Sequence, residues 1–287
     1  MRLYASNDCL LRKDHQRIAE FLEQRFIPST FSKGYIKHCS IYDNAKAHMY
    51  NDYFLLLDIK DFFPSILHKQ LEDKVFREIN LLEKNQITQG ECVDIVERCS
   101  VNERGLPLGF ITSPILSNIY LKEFDGIFYG GLKKLDLQNL IYTRYVDDLT
   151  ISFKGKIEKE ISKIEKDILE LANNLLKKYG LKLKDRKTRL YSFDVSNHVK
   201  ITGVNITRTN NGKRILTVGK KTKNQLFWQA IKCFDQKDKN SIANIKGMQS
   251  FILSIEKSGY ENGYSKNMLK LIKDRGFNSL KELIDSL

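Results

Sequence analysis

Three carboxylates stand where chemistry is possible. Asp147 and Asp148 interrupt the segment Tyr142-Thr-Arg-Tyr-Val-Asp-Asp-Leu-Thr-Ile151, which otherwise has the composition of a β-strand. Asp is a poor strand former, and two neighbouring anions repel each other, so the pair either turns the chain in water or serves a ligand. Asp58 closes Tyr53-Phe-Leu-Leu-Leu57, an unbroken apolar run suited to a strand buried on both faces. If the two segments are neighbours in one sheet, all three carboxylates converge at one edge. Like charges so placed raise each other's pKa, and bound divalent cations remove the conflict. Oxygen donors with no His or Cys beside them select Mg²⁺, with Mn²⁺ the alternative. Two such ions, about 3.5–4 Å apart, clamp the attacking and leaving oxygens of an in-line phosphoryl transfer. A solvated turn is the commoner role of an Asp-Asp pair, so the site reading leans on the segments around it.

Those segments must position the acids. Residues 14–26 have helical apolar spacing and stop before Pro28, and residues 66–99 repeat that spacing after Pro64. A Gly/Pro loop, Gly105-Leu-Pro-Leu-Gly109, leads into a helical stretch from Ser113 to Phe128. The two Asp residues then form the turn between two short strands. Ile157, Ile161, Ile164, Ile168, Leu171 and Leu175 make one helical stripe, and Gly180 stands at its C-cap position. Short strands follow over 181–207, and from about Lys220 the chain is helical and rich in Lys. The order predicts an α+β fold, a sheet packed by helices on one face, with a helical basic tail.

Composition narrows the partners. The 287 residues are 41% hydrophobic and carry 48 basic against 35 acidic side chains, a net of +13. An ordered chain with that surplus faces a polyanion, nucleic acid first. The runner-up, an anionic membrane, has no long apolar run, signal-like start or lipidation motif behind it. Cys9, Cys39, Cys92, Cys99 and Cys233 form no CxxC pair and read as reduced packing thiols of a cytoplasmic protein. The five His residues are as scattered, which argues against zinc.

Taken together and in order, Leu55-Leu-Leu-Asp-Ile-Lys-Asp-Phe-Phe-Pro-Ser-Ile66, Leu106-Pro-Leu-Gly-Phe-Ile-Thr-Ser-Pro-Ile-Leu-Ser-Asn118 and Tyr145-Val-Asp-Asp148 resemble the motifs of reverse transcriptases. The resemblance runs through most of the chain. It implies a right-hand polymerase fold, with fingers and palm over residues 1–210 (fingers mainly 1–40 and 66–105) and a helical thumb over 211–287 that binds RNA and template–primer. It implies that Asp58, Asp147 and Asp148, with the Ile59 carbonyl, hold two Mg²⁺ ions. Four residues are assigned by it to the deoxynucleoside triphosphate: Arg2 and Lys187 at the triphosphate, Phe63 under the sugar and Gly109 at the close backbone approach. Phe62 and Phe63 also suit the core. Leu108 stands where the family usually has Gln, and the chain starts too late for a strand and a basic residue that most relatives carry before Arg2; Arg12 and Lys13 are the nearest substitutes.

Two smaller matches point within the family. Asn44-Ala-Lys-Ala-His48 is similar to a pattern of retron reverse transcriptases, and Ile201-Thr202-Gly203 to their Val-Thr-Gly triplet. The resemblance then implies an RNA-directed DNA polymerase that starts from a 2′-OH of its cognate structured non-coding RNA and makes single-stranded DNA (msDNA) in anti-phage defence, beside an accessory effector protein. Asn44, His48, Thr202, Gly203, Lys220, Lys221 and Lys223 become candidates for contacts to RNA or primer. Trp228 and Phe251, interleaved with the tail lysines, are expected in an aromatic core. The alternatives are a small bacterial defence or group II intron-like reverse transcriptase without 2′-priming, and a reverse transcriptase-like protein that only binds RNA.

Overall fold

A computed structural model describes residues 9–102, 104–155, 158–184, 188–257 and 259–287. The contacts of the chain divide it into two compact units, Met1–Ser196 and Asn197–Leu287.

The first unit is built on a four-stranded antiparallel sheet of order β2-β3-β1-β4, from β1 (Tyr53–Asp58), β2 (Ile141–Tyr145), β3 (Asp148–Phe153) and β4 (Arg189–Ser192). β1 lies inside the sheet and is buried along nearly its whole length, as its apolar run requires. The helices are α1 (Cys9–Arg25), α2 (Ile41–Ala47), the single turn α3 (Phe62–Ser65), α4 (His68–Asn80), α5 (Gln89–Arg98), α6 (Ser113–Lys133) and α7 (Glu158–Lys178). Capping boxes start α2 (Ser40 with Asp43) and α5 (Thr88 with Glu91), and a Pro in its first turn starts α6. Tyr120, Phe124 and Phe128 of α6 are fully buried, and the stripe of α7 buries Ile161, Ile164, Ile168 and Leu175.

One expectation changes. Side chains alternate across a strand. Tyr142 and Arg144 of β2 meet Asp125 of α6 on one face. Thr143 and Ser152 meet Asn44 and His48 of the α2 segment on the other. Helices therefore cover both faces of this part of the sheet, not one. The second face is lined by Thr143, Thr150 and Ser152, all buried despite their polar side chains.

In the second unit β5 (His198–Ile201), β6 (Val204–Arg208) and β7 (Arg214–Thr217) form an antiparallel meander. Helices α8 (Lys220–Gln236), α9 (Ile242–Ile255), α10 (Lys266–Lys273) and α11 (Leu280–Asp285) follow. α9 packs on α8 and β7, and α11 on α8. The division after Ser196 falls ahead of the boundary at 210, because among the described residues the strands of the meander pair with one another and go with the helices that follow. This unit carries 17 basic and 7 acidic side chains, the first 31 and 28, so most of the charge surplus belongs to its 91 residues.

Candidate active site

The register of two strands brings the acids together. β1 and β3 pair with Asp58 opposite Asp148, and the Ile59 N–H donates to the Asp147 carbonyl at 3.0 Å. That bond marks Asp58 and Asp148 as a non-hydrogen-bonded pair, the closer of the two antiparallel types, with Cα atoms typically about 4.5 Å apart and side chains on one face. Asp147 adjoins them in the two-residue turn that Tyr145 and Asp148 close. In extended backbone a residue's N–H and C=O face the same side, so the Ile59 carbonyl is directed toward this turn as well. Lys184 N–H on Asp58 O (2.8 Å) and Lys60 N–H on Lys182 O (2.9 Å) fix the opposite side. Asp58 is only 6% exposed. The donors are all hard oxygen, which fits Mg²⁺. The fit is one of backbone position and donor type: among the described residues no three His, Cys, Asp or Glu side chains are drawn up as a metal cluster.

The turn itself is strained. Val146 has φ of 62°, a conformation that β-branched residues avoid. Its restraint is a buried polar network. Arg144, fully buried, forks onto Asp125 of α6 through Nε–Oδ1 (2.8 Å) and Nη2–Oδ2 (2.9 Å). Its Nη1 donates to the Val146 carbonyl (3.2 Å) and to Asn118 Oδ1 (3.1 Å). Asn118 accepts from Ser32 Oγ (2.9 Å) and donates to Gly34 O (3.0 Å), and the Tyr142 hydroxyl donates to Asp125 Oδ1 (2.8 Å). Burial, then Asp125, pushes the Tyr142 phenol upward; for Arg144 burial acts downward and Asp125 more than offsets it. The segment behind the turn also pairs through backbone, Arg144 N–H to Phe31 O (2.9 Å) and Lys33 N–H to Arg144 O (2.7 Å). A Cβ on Gly34 would lie 2.7 Å from both the Cγ2 and the backbone N of Val146. Tyr35, 57% exposed, faces the same turn; partial burial, then Tyr145 and Asp147, raise its phenol pKa.

The expected nucleotide-side residues divide. Arg2 and Lys187 lie outside the described residues. Phe63 and Phe62 are both buried, at 8% and 2% exposed, and both belong to the main core. The Phe63 carbonyl accepts from Leu106 N–H (2.9 Å) and the Ile66 carbonyl from Gly105 N–H (2.9 Å), which ties α3 to the loop leading to Gly109. Gly109 has φ of 101°, which L side chains rarely adopt, and Leu108 is half-buried against the core.

The expected RNA contacts divide too. Asn44 and His48 are wholly buried. Their polar atoms form a directed chain: Asn51 Nδ2 donates to Ser152 Oγ (2.7 Å), and Thr143 Oγ1 donates to Asn44 Oδ1 (2.6 Å). Ser152 is thus left to donate to His48 Nδ1 (2.7 Å), and Thr143 to accept from His48 Nε2–H (2.7 Å). That chain needs the neutral Nε2–H tautomer, and burial, with Lys33, lowers the His48 pKa to about 3. The pair fastens the α2 segment to the hairpin rather than facing solvent. Thr202 (φ 44°) and Gly203 (φ 95°) are the two-residue turn between β5 and β6, of the type with positive φ at both central residues. Lys220 and Lys221 are exposed, whereas Lys223 is paired with Glu256 (3.1 Å). Trp228 and Phe251, expected in an aromatic core, are 54% and 39% exposed.

Sequence reasoning missed Arg144, Asp125, Asn118 and Tyr35. The available signal was Arg144 itself, a charge inside a strand between buried neighbours, which requires a buried counter-charge.

A family model described as reverse transcriptase (RNA-dependent DNA polymerase) matches residues 1–206. Among curated proteins, the chain is 30% identical over 177 residues to the retron Ec73 reverse transcriptase of Escherichia coli, covering 60% of this chain and 54% of the relative. It is 28% identical over 255 residues to the Escherichia coli retron Ec86 reverse transcriptase, covering 85% and 72%. With the retron Ec83 enzyme of the same organism it is 28% identical over 270 residues, covering 89% and 80%. The first of these relatives is thus spanned over about half its length. A solved structure of telomerase from Candida albicans with a telomeric RNA fragment aligns at 12% identity and a TM-score of 0.46, over 96% of this chain and 51% of that one.

Proposed function

This chain belongs to the reverse transcriptase family, and we propose that it is the RNA-directed DNA polymerase of a retron. It would copy part of a cognate structured RNA into single-stranded DNA, starting from a 2′-OH of that RNA. The observation that carries the polymerase reading is the register that sets Asp58 opposite Asp148, with Asp147 adjoining in the turn. Bound Mg²⁺ there supplies a lowered pKa for the primer hydroxyl and charge neutralisation on the triphosphate. Everything else is positioning by the protein. Asp58, Asp147, Asp148 and the Ile59 carbonyl would hold the ions, and the buried Arg144 network keeps the turn in its strained shape. Gly109 would let the backbone approach a deoxynucleoside triphosphate, with Arg2 and Lys187 at its phosphates. Phe63 would exclude a ribose 2′-OH.

The retron reading is supported by similarity to retron reverse transcriptases and by the resemblance of Asn44-Ala-Lys-Ala-His48 and Ile201-Thr-Gly203 to patterns of that family. The 2′-primed start, the msDNA product, an effector protein as partner, the phage-defence role and the cytoplasmic setting belong to this proposal. The RNA would be held by phosphate contacts to the basic second unit, Lys220 and Lys221 among them. No described helix is long and apolar enough to cross a membrane.

Primer extension on an RNA template with Mg²⁺ tests the enzyme. Wild-type protein is expected to extend, and Asp147→Ala with Asp148→Ala to abolish extension while leaving RNA affinity largely intact. Residual synthesis by the double variant would remove these acids from the mechanism. Binding without extension by the wild type would favour the RNA-binding alternative. Nucleic acid co-purified with the protein from its native locus should contain RNA joined to DNA through a 2′,5′ linkage; unbranched DNA would favour a reverse transcriptase of another type.

A further inference from the structure

We infer that the groove between α8 and α10 in the second unit binds an unpaired RNA nucleotide, its base stacked on Trp228. The inference rests on the RNA-copying function proposed above and says which part of an RNA this unit takes.

The groove has a volume of about 550 Å³, in the range of small-ligand sites. One wall is a single stripe of α8. Lys220, Asn224 and Trp228 line the groove at four-residue intervals, so they stack on successive turns about 6 Å apart along the helix axis. A cation, a carboxamide and an indole in that order match the three parts of a nucleotide: phosphate, base edge and base face. Opposite them stand Tyr264, Ser265 and Met268.

Each member of the stripe has a feature that a nucleotide would use. Trp228 is 54% exposed, although its neighbour Phe227 is fully buried. The two rings meet edge-on, centroids 5.0 Å apart and planes at 90°, and Phe227 is itself 5.3 Å from the Tyr264 ring. The indole is braced from behind with a face left open, a preformed stacking platform. Among the described residues Asn224 Oδ1, a buried atom, has no hydrogen-bond partner, which is uncommon in native folds. Rotation of the carboxamide about χ2 would turn this oxygen into the groove, where an exocyclic amino group of a base would satisfy it, and the carboxamide can also donate. Lys220 is exposed in a helix first turn without acidic residues, and Gly219 before it offers no side-chain cap. The surrounding unit, with 17 basic against 7 acidic side chains, suits a polyanion better than a peptide. The base must be unpaired, because a duplex keeps its base faces within its own stack.

The chain has one tryptophan, so indole emission reports this groove alone. The full chain is titrated with an oligoadenylate of about 12 nucleotides, with an RNA duplex of similar length and with oligoglutamate. The oligoadenylate is expected to quench the emission, and the duplex to bind without doing so. Trp228→Ala should weaken oligoadenylate binding about tenfold or more, read by anisotropy of a labelled strand, with duplex affinity unchanged. Trp228→Phe, which keeps a ring, should retain most of the affinity. Oligoadenylate binding without a quench and without loss in Trp228→Ala overturns the groove, and leaves the polymerase reading standing if primer extension persists. Equal quenching by oligoglutamate overturns it in favour of a peptide site. Failure to bind either RNA overturns both the groove and the RNA-holding role.

Discussion

Arg144 serves the turn and the core at once. Its guanidinium neutralises Asp125, and the same side chain caps the carbonyl of the strained Val146. Arg144→Met would leave a buried carboxylate without its cation, and such a change costs about 3–5 kcal/mol. The expected outcome is a marked drop in the first unit's melting temperature. Arg144→Lys keeps the charge but not the fork, and is expected to lower kcat in primer extension more than it raises KM. His48 gives a residue-scale prediction in pH. The unfolded chain takes up a proton at this ring near its ordinary 6.5, whereas the folded chain resists until about 3. The neutral ring's contribution is therefore complete above pH 6.5 and is lost as pH falls through that window, at up to about 1.4 kcal/mol per pH unit. Denaturant unfolding at several pH values should show this slope in the wild type and a shallower one in His48→Gln.

At the scale of elements, the strands and helices were largely legible. Leu55 to Asp58 announces itself through its unbroken apolar run, the hairpin at Asp147 through strand composition interrupted by two acids, and α7 through helical periodicity, because burial of apolar side chains shapes all three. The facing of Asp58 and Asp148 follows from those strands once they are adjacent, but adjacency is a tertiary fact that spacing does not encode. Two features were hidden for physical reasons. Thr143, Thr150 and Ser152 look like a wet face, since nothing local says that Asn44, Asn51 and His48 will supply partners. Trp228 looks like core because large apolar residues usually are. Gly34 carries the element-scale prediction. The 31–34 segment lies so close behind the hairpin turn that Gly34→Ala must displace Val146. Overpacking of this kind costs about 1–3 kcal/mol, and the displacement is directed at the residue before Asp147. Primer extension should fall sharply while RNA binding, measured by anisotropy, holds. Normal extension by this variant would show that the turn tolerates movement.

For the whole molecule, the two units divide the physical work. The first is close to charge balance and builds its site from backbone register and a buried polar network. The second holds most of the surplus cations, which suits it to the phosphate contacts proposed above, contacts that make little demand on sequence. The division also has an experimental consequence. The only indole lies beyond Ser196, so a melting curve followed by its fluorescence traces the loss of packing around α8. A weakened sheet in the first unit would then pass unseen in that signal. Calorimetry or tyrosine absorbance, which register Tyr142 and Tyr120 as well, is the appropriate optic for variants of the acids and their supports.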